Sequence, residues 1–131
     1  MAISITAAVA QAAATAVATA IGSGSTIEVR TGSKPATPET TATGTLLATV
    51  AIAGSFSATG GTLTAADPAA VTIAASGAAG YFRVKTSGGT AILDGTVTAA
   101  GGGGDMQLAT VTLTSGATLD LGVPSFTMPV A

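Results

Sequence analysis

Between residues 5 and 21, apolar side chains recur every four positions, at Ile5, Val9, Ala13, Val17 and Ile21, while Gln11, Thr15 and Thr19 recur at the same interval on another side. That spacing gathers each set on one face of an α-helix. Ser4 or Thr6 can cap its start and Gly22 can end it. The pattern predicts an N-terminal helix over residues 1–22, whose small apolar side chains suit close packing on a sheet or on another helix. A secretory signal is the weaker reading. Ala18-Thr19-Ala20 would suit cleavage, but no Lys or Arg precedes it. A membrane span is weaker still, because the run is mostly Ala and Thr with Gln11 near its middle.

After Gly22-Ser23-Gly24 the period falls to two. Ile27 and Val29 alternate with Thr26, Glu28 and Arg30, as in a half-buried strand. Short runs of the same kind follow at residues 45–52, 70–75, 81–85, 90–97, 106–113 and 119–128, separated by Gly, Pro or Ser. In the run 81–85, Phe82 and Val84 point one way and Tyr81, Arg83 and Lys85 the other, which gives that strand a polar side. Ser87-Gly88-Gly89 and Asp94-Gly95 have hairpin-turn chemistry; the second either splits the run 90–97 or marks a bulge within it. Seven or so short strands with frequent turns predict an antiparallel β-sandwich or jelly-roll-like domain over residues 23–131, preceded by the helix.

Composition narrows the chemistry. Of 131 residues, 30 are Ala, 24 Thr and 18 Gly, and His, Cys, Trp and Asn are absent. This excludes, within one chain, a histidine acid/base, a cysteine nucleophile, a Cys/His zinc site, a disulfide and an N-glycosylation sequon. Charged residues make up 8%, against about 25% in ordinary soluble domains, and the net charge is −2. So little charge gives weak colloidal repulsion and favours a surface covered by neighbouring subunits. The four basic residues fall in two pairs, Arg30 with Lys34 and Arg83 with Lys85, too few for phosphate neutralisation to dominate binding, so nucleic acid is not an expected partner.

Two connections are longer than hairpin turns. Residues 32–44, with Pro35 and Pro38, form a polar loop stiffened by proline, and residues 99–105 carry four consecutive glycines, read as a flexible turn. The glycine run lacks the Gly-Lys-Ser/Thr ending of a phosphate loop; no Gly-x-Ser-x-Gly elbow occurs, and neither Lys34 nor Lys85 stands in a Ser-x-x-Lys context. Asp67, Asp94, Asp105 and Asp120 each sit beside a Gly or Pro turn and read as turn and cap residues, although two of them meeting in space could bind calcium or act as paired carboxylates. No residue is assigned a catalytic, cofactor-binding or metal-ligating role, and enzymatic activity is not expected.

The order of motifs is informative beyond composition. An Ala-rich helix leads into Gly22-Ser23-Gly24-Ser25-Thr26-Ile27-Glu28-Val29-Arg30-Thr31-Gly32 and then Thr43-Gly44-Thr45-Leu46-Leu47-Ala48-Thr49-Val50. Later come Ala78-Ala79-Gly80-Tyr81-Phe82-Arg83-Val84, Asp94-Gly95-Thr96-Val97, Gly104-Asp105-Met106-Gln107-Leu108 and Val123-Pro124-Ser125-Phe126-Thr127-Met128-Pro129. Over nearly its whole length the chain resembles a family of small virion structural proteins of tailed bacteriophages. The shared motifs are turn glycines and strand residues. The resemblance implies a capsid decoration or minor capsid protein that self-associates, as a homotrimer, and packs on the major capsid protein. It would be made in the host cytoplasm and lie on the outer capsid surface, with no nucleic acid, membrane, cofactor or small-molecule substrate as partner. The helix would be an inter-subunit or capsid-docking element, so deleting it should abolish assembly. A tail, fibre or baseplate component is the alternative, and a small hydrolase or calcium-binding lectin-like domain a third; Tyr81 is the lone Tyr or Trp available as a carbohydrate platform.

Overall fold

The computed structural model describes residues 6–127. Helix α1 spans Ala7–Ile21. Thr6 caps it, its Oγ1 accepting from Val9 N at 3.2 Å. Gly22, at φ 69°, ends it by donating its N–H to Ala18 O. The alternative cap Ser4, and Ile5 of the apolar row, lie outside the described residues. The buried face is rotated from the expected one: Ala10, Ala14 and Ile21 are buried with Val17 and Ala18 partly covered, whereas Val9 is 52% exposed. Side-chain size decides this. Ala10 Cβ lies only 3.1 Å from the position a Cβ would take on Gly61, so the contact accepts alanine and has no room for valine.

Eleven strands follow among the described residues: β1 (Thr26–Thr31), β2 (Leu46–Ala51), β3 (Ser57–Thr59), β4 (Thr62–Thr64), β5 (Val71–Thr72), β6 (Gly77–Lys85), β7 (Ala91–Ala99), β8 (Met106–Leu108), β9 (Thr112–Leu113), β10 (Thr118–Leu119) and β11 (Ser125–Thr127). The main sheet runs β2-β1-β6-β7-β8, with β9 also on β6; β11-β4-β3 form a second sheet and β10-β5 a ribbon. The protein is thus mainly β, sandwich-like, with one N-terminal helix. Ile27 and Val29 of β1 and Phe82 and Val84 of β6 share one core with Leu63 of β4 and Phe126 of β11. Phe82 stacks on Phe126 at 4.8 Å between ring centroids, which ties the two sheets face to face. Helix α1 lies against β3 and β4 and supplies Ala14 and Ile21 to that same core.

Three details differ from the sequence pattern. The runs 106–113 and 119–128 each divide in two, giving β8 with β9 and β10 with β11, while Met128 lies outside the described residues. The hairpin β3–β4 has too few inward positions, Ala58 and Leu63, to register as a strand signal. Asp94-Gly95 neither turns nor bulges: both residues pair in register inside β7, with Arg83 and Phe82, and the irregularity falls between Val84 and Lys85. Ser87-Gly88-Gly89 does form the β6–β7 turn, with Thr86 N bonded to Thr90 O at 2.9 Å.

The glycine run is pinned. Strands β7 and β8 are parallel, with Val97 beside Met106, so six residues must carry the chain back along its own strand. Gly101 and Gly103 take positive φ, and a Cβ on Gly102 or Gly104 would press on the Thr98 side chain. Gly104 N bonds to Thr98 Oγ1 and Gly101 N to Gln107 Oε1.

Candidate interaction site on the charged face

Strand period and register bring the charges together. Glu28 lies opposite Arg83, which lies opposite Asp94, while Arg30 lies opposite Tyr81 and Thr26 opposite Lys85. The expected polar side of β6 therefore exists, yet it is covered: Tyr81 and Arg83 are buried. Arg83 holds Asp94 through two parallel bonds, Nε to Oδ1 at 2.7 Å and Nη2 to Oδ2 at 2.8 Å, with the two side chains 4% and 3% exposed. This bidentate geometry matches the planar guanidinium to the carboxylate. The Arg83 pKa is raised, chiefly by its hydrogen bonds to Asp94, with burial acting in the opposite direction and the negative charge of Asp94 adding to the rise. Glu28 is shared: Oε1 receives Arg30 Nε at 3.1 Å and Oε2 receives Lys85 Nζ at 3.1 Å.

The cover is the polar loop 32–44, which acts as a strap. Tyr81 Oη donates to Thr43 O at 2.6 Å and accepts from Thr43 N at 3.0 Å, so one phenol holds both backbone groups of a strap residue. Thr45 N donates to Thr31 Oγ1 at 2.8 Å, and Thr31 N to Thr45 O at 3.1 Å. Gly44 is required where the strap rejoins the sheet: its φ is 73°, and a Cβ there would meet Thr31 O. Between strap and sheet lies a cleft of about 580 Å³, lined by Arg30, Arg83 and Lys85 below and by Glu39, Thr40 and Thr41 above.

Of the basic pairs singled out in the sequence, Arg30, Arg83 and Lys85 converge here, and Lys34 is an exposed strap residue. The four aspartates stay in separate local roles. Asp94 pairs with Arg83; Asp105 Oδ2 accepts from Thr96 N at 3.0 Å and from its hydroxyl; Asp120 Oδ1 accepts from Gly122 N at 3.0 Å; Asp67 is exposed. Among the described residues no group of three His, Cys, Asp or Glu side chains is placed to hold a metal ion. A second groove of about 290 Å³ has an apolar floor of Ile73, Leu113 and Leu119 beneath a threonine rim. Sequence pattern put Gln11 on the polar row of the helix but gave no sign of its partners: its Nε2 donates to Ala58 O at 2.9 Å and its Oε1 accepts from Gly61 N at 3.1 Å, clamping α1 to the β3–β4 turn. A polar residue on a helix face carries no mark of the backbone it will meet.

The fold and this face define a class: a mainly β domain with an N-terminal helix, whose clustered charges are engaged in its own ion pairs beneath a tied-down strap. No protein-family model, curated protein or solved structure matches the chain. Among the described residues no helix is long and apolar enough to cross a membrane.

Proposed function

We propose that this protein is a non-enzymatic structural subunit of a tailed-bacteriophage particle, a capsid decoration or minor capsid protein that associates with itself and packs on the major capsid protein at the outer head surface. The observation that carries this reading is the outer face of α1. Ala8, Ala12, Ala16 and Ala20 stand exposed at four-residue intervals, Val9 beside them is half exposed, and the helix has no charged residue. A surface helix in contact with water ordinarily turns charged and polar side chains outward. Small side chains permit close approach of a partner and continuous van der Waals contact. The charged cleft supports the same reading from the other direction, since Arg83 and Asp94 are committed to each other and Glu28 to Arg30 and Lys85, and none of the three stands as a free base or nucleophile.

The test is stoichiometry in purified virions of the phage that encodes the chain. About one copy per major capsid subunit is expected, a few copies per particle would place it in the tail, fibre or baseplate, and absence from the particle would overturn the proposal. A helix deletion is the wrong variant, because Ala14 and Ile21 belong to the core. Ala16→Arg leaves the fold intact, since the position is exposed and Arg is a good helix former; the substituted protein is expected to fold normally and be lost from particles.

A further inference from the structure

We infer that copies of this chain bind one another through the strap-covered cleft, which receives the acidic end of the β5–β10 ribbon of a second copy. It rests on the self-association proposed above and goes past it by naming both surfaces. The basis is where the charged side chains lie. All four cations, Arg30, Lys34, Arg83 and Lys85, belong to the charged face or its strap, where they meet three carboxylates, Glu28, Glu39 and Asp94. The rest of the chain carries Asp67, Asp105 and Asp120 and no Lys or Arg. One region is net positive and the remainder is wholly negative.

On the sheet face that floors the cleft, one carboxylate serves two cations, because Glu28 divides its oxygens between Arg30 and Lys85. The Lys85 side chain is still 25% exposed. Glu39, exposed on the strap above, forms no ion pair among the described residues, so a carboxylate from outside can still meet Lys85. Two are available on the ribbon. Leu119 pairs with Val71 and Thr118 with Thr72, antiparallel, so Asp120 and the segment 67–70 emerge at the same end. Asp67 and Asp120 are both exposed, and Asp67 forms no ion pair among the described residues. Asp105 lies away from the ribbon, bound to Thr96 of β7, and takes no part.

Exposed ion pairs add little affinity by themselves, but complementary charge sets orientation and speeds encounter. On a surface this poor in charge, no comparable feature competes to set the register, and uncharged Ala and Thr surface supplies the area. The contact made reciprocally gives a dimer; made between different patches around an axis it gives a ring.

Sedimentation velocity of the full chain across concentration and salt tests the contact. The wild type is expected to associate, less tightly as salt rises. Asp67→Asn with Asp120→Asn, which keeps the acceptor for Gly122 N, is expected to weaken association about tenfold or more at an unchanged melting temperature. Lys85→Glu should fail to self-associate, and mixing it with an Asp67→Lys, Asp120→Lys protein should restore a complex, a rescue that mere destabilisation would not produce. A wild type that remains monomeric, or a neutralised variant that associates as tightly as the wild type, overturns the inference. The particle proposal fails separately, by absence of the protein from virions.

Discussion

Ser25 is fully buried, and its Oγ has no hydrogen-bond partner. A buried hydroxyl without a protein partner costs about 1–3 kcal/mol, so Ser25→Ala should leave stability unchanged or raise it by about 1 kcal/mol in denaturant unfolding; a loss of that size would show that the hydroxyl is satisfied after all. Gly95 is the opposite case. A Cβ there would strike the Phe82 ring and approach Asp105, in the middle of a packed strand, and Gly95→Ala should cost about 1–3 kcal/mol. Beside it, removing one member of the Arg83–Asp94 pair strands a nearly fully buried charge. Asp94→Asn should cost about 3–5 kcal/mol, whereas replacing both residues by leucine should recover most of the loss. The raised pKa of Arg83 means that its contribution is complete at neutral pH, persists through mildly alkaline solution, and fades only as pH climbs through its elevated value. Strand alternation made the side of β6 that carries Arg83 legible in the sequence. The role of Asp94-Gly95 was not legible, because a local turn signal was overridden by a guanidinium and a ring supplied from the neighbouring strand.

Helix α1 is fastened by two different devices, and the sequence announced one of them. Its Thr6 cap and Gly22 stop follow from local chemistry and lie where the pattern put them. Its orientation depends on Gln11 and on how closely Ala10 approaches Gly61, both set by a hairpin some fifty residues away that sequence periodicity did not show. Gln11→Ala should release Ala58 O and Gly61 N together. The expected cost is about 1–3 kcal/mol, with amide exchange speeding first in α1 and the β3–β4 turn; equal acceleration across the main sheet would contradict the clamp. The strap is organised in the same economical way. Tyr81→Phe keeps the buried ring but removes both bonds to Thr43, so residues 32–44 should lose exchange protection while the core strands keep theirs. Loop length and proline content marked this segment as unusual, but the phenol that ties it down belongs to a strand and has no neighbouring partner in sequence.

Across the whole molecule, the helix and the strands that follow it share one core. A chain this short buries a limited fraction of its surface and has little stability to spare. Ile21 alone, at 1% exposure, represents about 1.5–3 kcal/mol of apolar burial. Ala10 and Ala14 add smaller amounts, and the hairpin they cover would be uncovered with them. Against the net stability of about 5–15 kcal/mol usual for a domain, that loss is large. Residues 23–131 expressed alone should therefore lack dispersed amide resonances. In the full chain, the far-ultraviolet helix signal and the near-ultraviolet Tyr81 signal should melt at one temperature, because Tyr81 sits in the main sheet and α1 reports the opposite side of the same core. A lower transition for the helix would mean that α1 is an appendage, and its outer alanine face would then be free to move to a partner rather than being presented to one from a fixed position.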